Sequence, residues 1–204
     1  MVLKTKNIFL LRHGKTLGAA ALNGKTDVLV DELVQQRISD ALAKHECKFD
    51  AIISSPLMRC SDLAKIHSKL MDIPLEMVPE LQEMDFGDVD GIPFDLLKNQ
   101  WSMLESFWQD PANHHLSGAE SLHSFQKRVI SGWSHVLDID HDNLLVVTHG
   151  GVIRVLLAHL LGVDWQNPRW YSNLAIANAS ITHIQVTQTD QTFISVKSIG
   201  SEII

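Results

Sequence analysis

The sequence predicts an α/β protein, a three-layer sandwich with a mainly parallel central sheet, helices on both faces and an antiparallel edge near the C-terminus. Two observations predict it. Short apolar runs of strand formers, such as Ile8–Leu11, Phe49–Ile53 and Leu144–Val147, alternate with longer segments whose apolar residues recur at helical spacing. The tail instead alternates residue by residue, with Ile181, His183, Gln185 and Thr187 against Thr182, Ile184 and Val186. A turn candidate at Thr189-Asp190-Gln191 and then Phe193, Ile194 and Val196 complete a terminal hairpin.

The elements follow in order. Ile8–Leu11 reads as a buried strand, followed by a loop of small residues from Gly14 to Asp27. Asp31 caps a helix carried by Val34, Ile38, Ala41 and Leu42. Phe49–Ile53 is the second strand. Ser55 is then expected as an N-cap, with Pro56 at the first helical position of a helix reaching about Met71. Ile73–Met77 forms a short strand before an acidic stretch, Pro79–Gly91. Pro93–Pro111 reads as helical, with Trp101, Leu104 and Trp108 on one face as a core stripe. A polar break at His114–Ala119 follows, with the His114-His115 pair expected as solvated loop. Glu120–Leu137 is an amphipathic helix with Leu122, Phe125, Val129 and Trp133 inward. Leu144–Val147 is a strand, and Val152–Leu161 a buried helix.

Composition bounds the function. The 204 residues suit a single domain over 1–204, with about 79–118 read as a cap-like insertion over one end of the sheet. Hydrophobic residues make up 45% and charged residues 20%, which is ordinary globular material. A net charge of −7 argues against nucleic acid as a partner, since that needs a basic face. Cys47 and Cys60 are the only cysteines and form no framework, which fits a reducing compartment. Met1–Asn7 shows no leader-like apolar core. The longest apolar run, Val152–Val163, is too short to span a bilayer and is broken by Arg154 and His159. A cytoplasmic protein without membrane contact is expected. The oligomeric state stays open, with a homodimer as one option.

The functional reading rests on three junctions of one kind. Arg12 and His13 end the first strand, Arg59 lies in the first turn after the second, and His149 ends the late strand in Thr148-His149-Gly150-Gly151. Parallel strands bring all four side chains to one sheet edge, where ligands of α/β folds collect. Helix starts at Ser55 and Gly150 add positive dipole ends and backbone N–H donors. Two arginines, two histidines and two helix starts suit a compact dianion such as phosphate, because a guanidinium donates two parallel hydrogen bonds. The remaining histidines (His45, His67, His123, His135, His141, His159 and His183) are taken as surface or core. The run Glu80, Glu83, Asp85, Asp88 and Asp90 reads on its own as solvated surface, and spacing does not choose among Glu83, Asp85 and Asp88 for a chemical role.

Four motifs in order, Leu11-Arg12-His13-Gly14-Lys15-Thr16, Ser54-Ser55-Pro56-Leu57-Met58-Arg59, Glu83-Met84-Asp85-Phe86-Gly87 and Val147-Thr148-His149-Gly150-Gly151, resemble the histidine phosphatase (phosphoglycerate mutase-like) superfamily. The resemblance implies a metal-independent phosphomonoesterase with no cofactor. It implies that His13 is the nucleophile that becomes phosphorylated, that Arg12, Arg59 and His149 hold the phosphoryl oxygens, and that Glu83 is the proton donor. Gly150, Lys15, Gly24 and Thr26 are further pocket contacts in that pattern. Gly24-Lys25-Thr26-Asp27, Glu83–Asp88, Gly91 and Glu120-Ser121 are most similar to α-ribazole-5′-phosphate phosphatases, which act in cobalamin lower-ligand assembly. The partner implied is a small phosphorylated metabolite. A broad-specificity sugar or metabolite phosphatase, a phosphoglycerate mutase, and a non-catalytic phosphate-binding regulator are the alternatives. Lys15 stands where the family usually has glutamate, Val89-Asp90 replaces tryptophan-glutamate, and Ala119 separates Gly118 from Glu120.

Overall fold

In the computed structural model, which describes residues 4–204, β1 (Lys4–Arg12) lies inside a six-stranded sheet and is buried from both sides. The other strands are β2 (Ala51–Ser54), β3 (Leu75–Met77), β4 (Asn143–Thr148), β5 (Ser180–Gln188) and β6 (Thr192–Glu202). Their order is β3-β2-β4-β1-β5-β6. β1, β2, β3 and β4 run parallel, and β5 and β6 add an antiparallel edge. Met1–Leu3, part of the stretch expected to lack a leader, lie outside the described residues.

The period-2 geometry of a strand explains why the central runs are apolar at every position. Ile8, Leu10, Ile53, Leu144 and Val146 point to one face and pack with α4 (Leu122–Asp138) and α5 (Gly150–Leu161). Phe9, Leu11, Ile52, Leu145 and Val147 point to the other and pack with α1 (Glu32–Ala43) and α2 (Met58–Met71). These are the three layers expected. Register then sets the site. Arg12 pairs with Thr148 and Ser54 with Val147, so the three parallel strands end level with one another.

Most helix boundaries follow local signals. Asp31 caps α1 by accepting from the Leu33 and Val34 amides, and Ser121 caps α4 through the Ser124 amide. Ser55 does not cap α2 as expected. Its own amide still donates to the Val147 carbonyl at 3.0 Å, which keeps it in the sheet, so Pro56 and Leu57 are needed before the chain can turn. The Met58 amide is capped instead by Asp27, from a distant loop, at 2.6 Å.

The helix expected over Pro93–Pro111 is also shorter. Phe94–Leu96 and Lys98–Gln100 make 3₁₀ turns, and α3 covers only Trp101–Gln109. Leu104 and Phe107 form its buried side, while Trp101 and Trp108 stay 41% and 38% exposed. The two tryptophans pack edge-to-face with each other and with Phe94 outside the core. α6 (Pro168–Asn173) was not expected at all. It is too short for periodicity, although Asn167 caps it and Pro168 opens it. No helix among the described residues is long and apolar enough to cross a membrane.

One polar side chain ties the first strand to α4. Lys6 is 6% exposed and donates Nζ to the Leu137 carbonyl at 2.6 Å and to the Ile139 carbonyl, where the helix has run out of amide donors. Lys6→Met strands both carbonyls and is expected to lower the unfolding free energy by about 1.5–3 kcal/mol, read from the urea midpoint at unchanged m.

Candidate active site

The level strand ends deliver His13, Ser55 and His149 to one edge of the sheet. His13 donates its amide to the Thr148 carbonyl at 3.0 Å. Its Nδ1 lies 2.7 Å from the Gly14 carbonyl, which can only accept, so Nδ1 carries the proton and Nε2 keeps a lone pair. Burial pushes its pKa down to about 3, and Arg59 and Arg12 push the same way. The ring is therefore neutral, with one nucleophilic nitrogen. Asn178, which carried no signal in the sequence, donates to the His13 and Gly14 carbonyls at 3.1 and 3.3 Å and fixes this turn.

His149 is wholly buried, and its ring centroid is 5.3 Å from that of His13. Its Nδ1 accepts from Arg59 Nε at 3.1 Å, so Nε2 carries the proton and donates to Ser55 Oγ at 2.8 Å. Burial, then Arg59, hold its pKa well below the usual imidazole range. Cys60 lies under the ring at 3.6 Å, and burial pushes its thiol pKa up.

Arg59 is 1% exposed and held by the protein itself. Nη1 donates to the Thr26 carbonyl, and Nη2 to the Asn23 and Gly24 carbonyls, at 2.6–3.0 Å. With the bond to His149, four of its five N–H groups are engaged. Gly24 and Thr26 thus meet the site through main-chain carbonyls on Arg59. Arg12 is different. Its Nη1 donates to the Ile176 carbonyl, but its buried Nε has no partner, and it forms no ion pair among the described residues.

The acidic stretch resolves its three candidates by direction. Glu83 turns inward, where Oε2 accepts from the Gly151 amide at 3.0 Å and Oε1 from the Met84 amide at 3.1 Å. A Cβ on Gly151 would lie 2.2 Å from Glu83 Oε1, so only glycine lets this carboxylate seat against α5. Asp85 turns away to Lys25 at 2.9 Å, and Asp88 to Ser117 Oγ at 2.6 Å. Arg128 grips the Glu80, Gln82 and Glu83 carbonyls and is itself held by both oxygens of Glu120.

One amide at each helix start is already taken within the protein. Asp27 takes the Met58 amide, and Glu83 takes that of Gly151. Lys15 is exposed and makes no hydrogen bond among the described residues. His114 and His115 are exposed too. Beside Glu83 opens a cavity of ≈ 250 Å³ whose walls include Phe86, Phe107, Trp108, Phe125 and Tyr171. Phe107, on the buried side of α3, and Trp108, 38% exposed, both line it. No group of three His, Cys, Asp or Glu side chains among the described residues is placed to hold a metal.

Asp90, in the sequence a member of the acidic run and a departure from the family pattern, is held by main-chain contacts. One oxygen accepts from the Gly24 and Thr26 amides, and the other from the Lys25 and Phe86 amides, all at 2.9–3.2 Å. It therefore joins the loop that holds Arg59 to the loop that presents Glu83.

Comparisons with known proteins agree with this geometry. The family described as the histidine phosphatase superfamily (branch 1) matches residues 8–198. A protein of Hydrogenobacter thermophilus named "Putative phosphoserine phosphatase 2" is 31% identical over 202 residues, covering 93% of this chain and 94% of its own. The adenosylcobalamin/alpha-ribazole phosphatase of Escherichia coli is 28% identical over 162 residues, covering 76% of this chain and 79% of its own. The solved structure of Bacillus stearothermophilus YhfR superimposes with a TM-score of 0.83 at 23% identity, covering 96% of this chain and 97% of that one.

Two outcomes follow from the buried groups. Unfolded His13 titrates near 6.5 and folded His13 near 3, so the unfolded chain takes up more protons between those values. Stability present above pH 6.5 is then lost as pH falls toward 3, by up to about 1.4 kcal/mol per pH unit for each such imidazole. Urea titrations at descending pH read this slope, and His13→Gln flattens it. Asp90→Asn turns an acceptor into a donor facing amides, and is expected to cost about 1.5–3 kcal/mol of stability while Asp90→Glu recovers part of it.

Proposed function

Because the chain belongs to the histidine phosphatase superfamily (branch 1) and is a phosphatase, we propose that it hydrolyses phosphomonoesters through a phosphohistidine on His13, without a metal, and that α-ribazole 5′-phosphate is its substrate. The observation that carries the reading is the neutral His13, whose Nδ1 is held by the Gly14 carbonyl and whose Nε2 keeps its lone pair, at the end of the strand that also carries the unpartnered Nε of Arg12.

On this reading Nε2 attacks phosphorus in line, the P–O bond to the alcohol breaks, and Glu83 gives its proton to the departing oxygen. Arg12 stabilises charge on the equatorial oxygens as it builds, which is where most phosphoryl-transfer catalysis resides. His149 exchanges its Nε2–H bond to Ser55 for a phosphoryl oxygen, and Arg59 adds positive charge at close range from a fixed position. Glu83 then accepts a proton from water as the water attacks phosphorus and the P–N bond breaks. Free His13 and inorganic phosphate result. Every proton has a donor and an acceptor among these residues, so no step calls for a metal.

The aromatic cavity beside Glu83 supports a flat, apolar leaving group, and the base of α-ribazole is one. The E. coli relative carries that substrate in its name. A second reading, a metabolite phosphatase for a carboxylate-bearing ester such as phosphoserine, is favoured by one cation in the same cavity, Arg154. Either way the partner is a small phosphorylated metabolite met in the cytoplasm.

His13→Ala is expected to abolish hydrolysis of phenyl phosphate, on the order of 10⁴–10⁶-fold, with its urea midpoint retained. Glu83→Gln is expected to slow it about 10²–10⁴-fold. Chelators leave the rate unchanged. Full activity of His13→Ala defeats the proposal, and a panel of α-ribazole phosphate, phosphoserine, phosphoglycerates, sugar phosphates and nucleotides ranked by kcat/KM chooses the ester.

A further inference from the structure

α5 is buried and apolar from Val152 to Ala158 except at Arg154. A guanidinium costs free energy in such a place unless something accepts its protons. Arg154 Nε donates to the Leu174 carbonyl at 2.7 Å, which fixes the plane of the fork. Among the described residues no hydrogen bond uses its Nη1 or Nη2, and it forms no ion pair. The segment after α6 holds both open arginines side by side, with Leu174 taking Arg154 and Ile176 taking Arg12. A Cβ placed on Gly150 would lie 3.2 Å from Arg154 Nη1 and 3.3 Å from Arg12 Nε, so the missing side chain is what lets the two approach.

Arg154 nevertheless belongs to the leaving-group side. Together with Glu83 it is a wall of the ≈ 250 Å³ cavity, and it is the only cation there. The remaining walls are mostly apolar, Leu22, Phe86, Phe107 and Phe125 among them, and no hydrogen bond joins the Tyr171 or Ser172 hydroxyl to Arg154. A planar fork with two open nitrogens, lining the same cavity as Glu83, is matched by two oxygens borne by one group of the alcohol.

We propose that Arg154 is the specificity residue of this site, its two Nη groups binding paired oxygen acceptors on the alcohol side of the ester. This rests on the phosphomonoesterase reading for where the alcohol lies. A vicinal diol, as on a ribose, and a carboxylate, as on phosphoserine, share that chemistry.

The test is calorimetric binding to His13→Ala, which holds esters uncleaved, against the same protein carrying Arg154→Gln. The probes are inorganic phosphate, phenyl phosphate, α-ribazole 5′-phosphate and O-phospho-L-serine. Arg154→Gln is expected to raise Kd about 10–100-fold for an ester bearing paired acceptors. It leaves inorganic phosphate and phenyl phosphate, which has no such acceptor, within about 3-fold, and this also shows that the variant is folded. Loss confined to α-ribazole phosphate identifies the diol, and loss confined to phosphoserine the carboxylate. An equal loss for inorganic phosphate, no loss for either acceptor-bearing ester, or failure of both to bind while phosphate binds overturns the proposal. Failure of inorganic phosphate to bind His13→Ala at all defeats the phosphomonoesterase reading instead.

Discussion

Four main-chain amides converge on the carboxylate of Asp90, and the site depends on that convergence. Across a trans peptide the N–H and the preceding carbonyl point opposite ways, so with the Gly24 and Lys25 amides on Asp90 the Asn23 and Gly24 carbonyls point onto Arg59. The fourth amide, from Phe86, brings in the loop that presents Glu83. A single anion thus sets the distance between the acid and the deepest cation. The Lys25–Asp85 pair spans the same two loops but is largely exposed, and a pair in water adds far less than a carboxylate accepting four amides.

The cations divide into two kinds. Arg59 and His149 have their polar atoms taken by carbonyls, by Ser55 and by each other, so they are rigid before any ligand arrives. Arg12 and Arg154 are each anchored by one bond to a carbonyl and keep other donors open. The first kind holds a preorganised positive field, and the second supplies contacts to be completed by ligand oxygens. A chain of net charge −7 tolerates this cluster because the charge of Arg59 is solvated by main-chain dipoles rather than by water. Neutral histidines serve it better than charged ones, since a second positive charge on His13 would both repel Arg12 and remove the lone pair.

Much of this was legible in the sequence because it follows from local rules. Strand runs buried on both faces, the Asp31 cap, and the hairpin after Ser180 are signalled within a few residues. Parallel pairing then places Arg12, His13, Arg59 and His149 at one edge. What stayed hidden depends on residues far apart in the chain. The capping of α2 by Asp27 spans 31 residues, and Ser55 was misread because sheet pairing outcompeted helix capping at its amide. Asn178 and Asp90 act on main-chain atoms, for which a sequence has no mark. Arg154 did leave a signal, a lone arginine in the otherwise apolar stretch Val152–Ala158, where it reads from sequence as an interruption.

On the proposed reading, specificity and chemistry are built by different parts of the chain. The phosphoryl side is made at strand ends, whose positions are fixed by backbone pairing and a core on both faces. The leaving-group side is made by the 83–90 loop, α3, the start of α4 and α6, which pack on that core without joining the sheet. Glu83 stands at the seam between them. Its carboxylate is tied to α5 through Gly151, and its main chain is tied to α4 through Arg128 and Glu120. A change confined to the walls that α3 and α6 supply therefore alters which alcohol fits without touching the anchors of Glu83, which lie in α4 and α5.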